Sequence, residues 1–142
     1  MKSRTRLMRD HWWAGSLGLL FLAALALPGH AEEPMSADEF EAYVDGRTLT
    51  FGDSSGPYGI ERYHDNRRVT WAFIGQECQS GEWYPEADMI CFVYDFEPVP
   101  QCWRFYQSEA GLRADFANGP GSSVLYEVLD ADQPLICPGV GV

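Results

Sequence analysis

Four cysteines, twenty carboxyl groups and a single histidine are the side chains past residue 31 with chemistry to offer. Zinc ligation needs a local pair such as C-x2–4-C, and redox catalysis of the thioredoxin kind needs C-x-x-C. Cys78, Cys91, Cys102 and Cys137 form neither. An even cysteine count in a small exported domain reads as two disulfides. His64 stands beside Asp65 between two apolar runs, where a turn is expected, and an exposed turn lacks the fixed, desolvated geometry of a general base. Ser54, Ser80 or Ser122 would have to complete a triad, and no nucleophile-elbow motif exists. Paired carboxylates cleave glycosides, but abundance of Asp and Glu singles out no pair. Asp53-Ser-Ser-Gly56 and Asp130-Ala-Asp132 offer oxygens without the ligand spacing of a calcium loop. The expectation is a protein with no catalytic residues, cofactor or metal.

The amino terminus places these residues in a compartment. Lys2, Arg4, Arg6 and Arg9 precede an apolar run from Trp12 to Leu27, and Pro28-Gly29-His30-Ala31 follows. Basic start, apolar middle and small residues at −3 and −1 are the parts of a secretory signal peptide. The uninterrupted stretch from Ala14 to Leu27 is shorter than the roughly 18 residues of a membrane span. Residues 1–31 are therefore expected to be removed, leaving 32–142 as one domain, periplasmic or secreted, with no stable membrane insertion. The chain has 10 basic and 21 acidic residues; the leader takes Lys2, Arg4, Arg6, Arg9 and Asp10. Six arginines then face twenty carboxylates, a formal charge of −14. Such a surface repels nucleic acid and anionic membranes, and a partner, protein or glycan, would more readily be basic.

The mature chain opens with Ser36-Ala-Asp-Glu39, a capping box, followed by Phe40, Tyr43 and Val44 at helical spacing and by Gly46 as a stop. A short helix is expected, with its aromatic stripe set on the core. From Arg47 the period becomes two. Residues 58–64 and 67–74 flank Asp65-Asn66, which suits a two-residue type I′ turn. That turn sets Tyr58 against Phe73, Ile60 against Trp71 and Arg62 against Val69, making one almost wholly apolar face. Gly59, Glu61 and Tyr63 fall on the other face. Arg62, on the apolar side, would need a carboxylate at the barrel mouth, because a buried unpaired charge is costly. Further runs at 77–84, 88–95, 101–107, 111–117 and 124–129 are separated by turn residues. Eight short strands after one helix predict an all-β antiparallel meander, a small barrel or two-layer sandwich.

Side-chain parity pairs the cysteines. If 88–95 and 101–107 form a hairpin with Ile90, Phe92, Tyr94, Trp103 and Phe105 in the core, Cys91 and Cys102 emerge together on the outer face. Cross-strand neighbours at that distance are close to disulfide geometry. Cys78, also off the core face, is left to Cys137 in the tail. Each bond is expected to add about 2–4 kcal/mol, more for the longer loop.

Trp71, Trp83 and Trp103, with seven tyrosines and seven phenylalanines, are dense for a domain of this length. They are expected to fill the barrel, with an exposed aromatic patch around Tyr63, His64, Tyr84 and Tyr106 as the interaction surface. The leader, YGIERYHDNRRVTWAF, C-x4-W-Y, ICF and QCW together resemble a group of small exported proteins of Gram-negative alphaproteobacteria. The resemblance implies a periplasmic or secreted location and brings no activity or site residues with it. The functional expectation is an exported noncatalytic binding or interaction module, such as an inhibitor or envelope accessory. The alternatives are a small-ligand carrier with a barrel cavity, or a small carboxylate-based hydrolase.

Overall fold

Ser36 caps the first element as its spacing predicts. In the computed structural model, which describes residues 31–131 and 134–137, the Glu39 amide donates to Ser36 Oγ while the Ser36 amide donates back to Glu39 Oε2. Helix α1 (Ala37–Val44) follows, and Gly46 takes φ +69° just past its end, where a Cβ would be strained. Residues 1–30 of the leader and Asp132 lie outside the described residues.

The strands are β1 (Thr48–Asp53), β2 (Gly56–Tyr63), β3 (Arg68–Phe73), β4 (Gln79–Glu86), β5 (Met89–Tyr94), β6 (Glu97–Ser108), β7 (Gly111–Phe116) and β8 (Val124–Glu127). Each pairs antiparallel with the next, and β8 returns to β1 through Phe51↔Glu127 and Gly52↔Tyr126. The result is a closed eight-stranded meander barrel, so no sheet edge is left unpaired. Because every connection is a hairpin, the β1–β2, β3–β4, β5–β6 and β7–β8 loops share one end, here called the mouth. The α1–β1 connection and the remaining loops share the other.

Helix α1 closes that second end. Phe40 is fully buried and packs on the rings of Tyr63, Trp83, Phe92 and Phe105 at centroid distances of 4.5 to 6.3 Å. Burying such a side chain is worth about 1.5–3 kcal/mol. The Arg67 guanidinium bonds Glu41 of the helix and lies 4.6 Å from the Trp83 ring. The plug is thus held by apolar contact at its centre and by polar contacts at its rim.

Cys91 and Cys102 are register partners on the outer wall and are bonded, with Cα atoms 4.0 Å apart. Cys78 is bonded to Cys137, which ties the tail to the β3–β4 loop. No helix among the described residues is long and apolar enough to cross a membrane.

The β2–β3 hairpin departs from the expected register by one residue. The turn takes three residues, Asp65–Arg67, with both Asn66 and Arg67 at φ +59°, and the His64 amide donates to the Arg68 carbonyl. Tyr63 therefore pairs with Val69, Glu61 with Trp71 and Gly59 with Phe73. A slip of one residue exchanges the faces of a strand. Gly59, Glu61 and Tyr63 point inward, while Ile60 and Arg62 point outward. Arg62 is exposed and donates to Thr48 Oγ1, so it needs no carboxylate in the barrel. Ile60 stays buried because Pro134, Leu135 and Ile136 of the stapled tail line a groove with it and Ala72.

Candidate functional site

The slip brings a carboxyl group into the barrel. Glu61 is 2 % exposed and accepts a hydrogen bond from the Tyr94 hydroxyl, 3.1 Å from Oε2 and 3.3 Å from Oε1. Burial raises its pKa well above the ordinary carboxyl value, and the Tyr94 hydroxyl, which favours the charged form, offsets only part of that. Burial and the nearby Glu61 likewise push the phenols of Tyr63 and Tyr94 well up, so both remain hydroxyl donors at neutral pH.

Glu61 borders a cavity of about 170 Å³ that runs toward the mouth. Its wall is aromatic: Phe51, Tyr58, Tyr63, Trp71, Phe73, Phe92, Tyr94, Trp103 and Phe105. Gln79, Gln101 and Glu97 supply polar atoms, and Phe105 and Phe92 rest on Phe40 of the plug. The bulky interior expected to be full is not, because many rings pack along the wall rather than across it. Trp71 meets Phe73 on its own strand at 5.5 Å, Trp103 meets Phe116 on the next at 4.9 Å, and Phe92 and Tyr94 lie nearly parallel.

Two strand glycines make room for that arrangement. A Cβ on Gly59 would run into the indole of Trp71, and one on Gly81 would stand 2.8 Å from the Tyr94 ring. Glycine inside a strand commonly marks such close approach. Trp71 and Tyr94, the indole and phenol nearest Glu61 in register and bonding, thus lean over bare backbone. Around the mouth Tyr58, Ile74 and Phe96 are exposed.

A second inward glutamate lies at the plugged end. Glu127 Oε2 accepts from the Tyr43 hydroxyl at 2.7 Å and the Leu112 amide at 3.0 Å, and Oε1 accepts from Arg47 at 3.2 Å. Its side chain is 3 % exposed. Burial, and then the bond to Glu127, raise the pKa of Tyr43.

Of the residues expected to form a surface patch, Tyr63 is a correction: it is buried in the barrel, turned inward by the same slip. His64 is exposed and hydrogen-bonded to Thr70 Oγ1 at 2.9 Å. Tyr84 stands half-buried opposite Cys91, and Tyr106 stands half-buried opposite Arg113, whose guanidinium covers its ring at 4.1 Å. They sit on different strand seams. Arg104 is paired with Asp88, and Arg113 with Asp115 and Glu32. Glu86 lies beside Cys91 and Cys102, but both sulfurs are committed to a disulfide and have no thiolate to offer a metal.

Sequence reasoning missed Glu61, although β2 carried a signal. Either face of YGIERYH buries one charged residue, Arg62 or Glu61. A carboxyl can take a proton and become neutral; a guanidinium cannot. That asymmetry favours the face the structure buries.

No protein-family model, curated protein or solved structure matches this chain.

Proposed function

We propose that this chain is an exported binding protein that holds one small molecule inside its barrel. The observation that carries the reading is the mouth-facing cavity of about 170 Å³, aromatic on its walls and with a single deep carboxyl. A mostly apolar concavity with a few convergent polar groups is the usual form of a ligand site. Its volume is close to that of an apolar cavity, about 150 Å³, known to accept benzene. Of the three functions expected from sequence, this favours the small-ligand carrier over the interaction module with a filled core. It also disfavours the hydrolase. Space for about one six-membered ring does not hold the two sugars that flank a scissile glycosidic bond.

The two disulfides fit an oxidising compartment, and with the leader they support a periplasmic or secreted location. The net charge of the mature chain keeps it apart from nucleic acid and anionic lipid.

Native mass spectrometry of the protein recovered from the export compartment tests the reading, with affinity capture from the same extract in parallel. A small molecule that leaves on unfolding is the expected result. Ligand-free protein that co-purifies with a stoichiometric protein partner would instead make it an interaction module.

A further inference from the structure

Glu61 faces a cavity whose walls contain no cation. Among the described residues that line it there is no Arg, Lys or His. Its titratable neighbours are Tyr63 on its own strand, Tyr94 on β5, Tyr58 nearer the mouth and Glu97 on β6. Strands β1 and β3, which flank β2, present Phe51, Trp71 and Phe73, none of which titrates. The cavity therefore has nothing with which to neutralise an anion. What it does have is a carboxyl, a phenol aimed at that carboxyl, and the faces of several aromatic rings.

Those three features recognise one kind of ligand. A carboxylate and aromatic faces both attract a positive charge, and the second attraction strengthens when water is excluded. A neutral ligand that needed only a hydrogen bond would be served as well by glutamine, without the cost of burying an acid. The Tyr94 hydroxyl is turned to donate to Glu61, and such a bond favours the charged form of a carboxyl. The acidic surface of the mature chain, with Glu97 exposed where the cavity opens, draws cations toward the mouth. The volume sets the size.

We propose that the cavity takes a small monocation, a protonated amine carrying one flat apolar ring, with Glu61 as its counter-charge. The proposal rests on the ligand-binding reading above. Burial holds the proton on Glu61 in the empty barrel to a higher pH than on a solvated carboxyl. When the ammonium enters, the carboxyl O–H bond breaks, the proton leaves to solvent, and carboxylate and ammonium pair. One proton is released for each cation bound, so affinity rises about tenfold per pH unit until Glu61 is ionised in the empty protein.

Titration calorimetry of the mature protein with benzylammonium chloride and with benzyl alcohol, from pH 5 to 8 in buffers of differing ionisation enthalpy, tests this. Benzylammonium is expected to bind at least tenfold more tightly than the alcohol at pH 7, to gain affinity with pH, and to release a proton. Glu61→Gln should abolish that preference while still binding benzyl alcohol. Glu97→Gln, at the exposed rim, should weaken benzylammonium binding less than Glu61→Gln does. Equal binding of the two probes, or a preference that survives Glu61→Gln, would overturn the cation proposal and leave the ligand-binding reading standing. Loss of the preference in Glu97→Gln alone would overturn the role of Glu61. Binding of neither probe at millimolar concentration would overturn both.

Discussion

Among the described residues two buried glutamates point into this barrel, and the groups that meet them differ. Glu127, at the plugged end, is met by an arginine, a phenol and a backbone amide. Glu61, deep on the cavity wall, is met by one phenol and by open space. A buried charge is tolerated where donors and a counter-charge surround it, and is otherwise removed by protonation. The first carboxyl therefore acts as a fastener: it joins α1 through Tyr43 and Arg47 to β7 and β8. The second has one partner, the Tyr94 hydroxyl of β5, and no counter-charge. A side chain that adds little to stability, on the wall of an aromatic cavity, is better explained by what enters than by what is already there.

The two ends should respond differently to substitution. Phe40→Ala, at the centre of the plug, should destabilise the domain by about 3–5 kcal/mol, as aromatic truncations in a core do. Chemical denaturation measures this. If the loss stayed below about 1 kcal/mol, the helix would not be a structural plug.

Glu127→Ala should come next, costing about 2–3 kcal/mol. It leaves the Leu112 amide and the Tyr43 hydroxyl without their acceptor, while Arg47, 42 % exposed, turns to water. A neutral result would erase the contrast between the two carboxyls.

Glu61→Gln should have the opposite sign. Glu61 keeps its proton in the folded barrel to a higher pH than in the unfolded chain. The folded state then binds more protons, and stability falls as pH rises from the unfolded value, about 4.3, toward the folded one. Below that window the acid costs nothing. At pH 7 its replacement by glutamine should stabilise the domain, because the folded barrel holds the carboxyl proton more tightly than the unfolded chain does. The difference between variant and parent in thermal melts should shrink as pH falls and vanish below about pH 4. A constant difference across that range would contradict a buried neutral acid.

Tyr94→Phe should be the smallest change, about 1 kcal/mol for one hydrogen bond. Its sharper signature is on Glu61, whose proton should be held still more tightly once the hydroxyl that favours the anion is gone. Proton uptake that moved the other way would place the Tyr94 hydroxyl elsewhere.

Much of the scaffold was legible before any coordinates. The capping box of Ser36 and Glu39, the eight strands and the outward parity of Cys91 and Cys102 each depend on local pattern, and local pattern was unambiguous. The site hung on one residue of loop. Asp65-Asn66 suits a two-residue turn, but Arg67 also takes a left-handed conformation, and the pairing slips. The apolar look of the Tyr58–Ile60 face then misled, because Ile60 is covered from outside by a tail that a distant disulfide holds in place. No periodicity within β2 records that cover. Nor does a list of inward aromatics say whether rings meet across a barrel or lie along its wall.

The most direct test of the account is the proton on Glu61 itself. In protein labelled with 13C at the glutamate carboxyl carbon, the Glu61 resonance is identified by its loss in Glu61→Gln and followed from pH 3 to 9. The account predicts a midpoint well above the ordinary glutamate value of about 4.3, falling when a bound ammonium pairs with the group. A midpoint at or below that ordinary value in the ligand-free protein would contradict it.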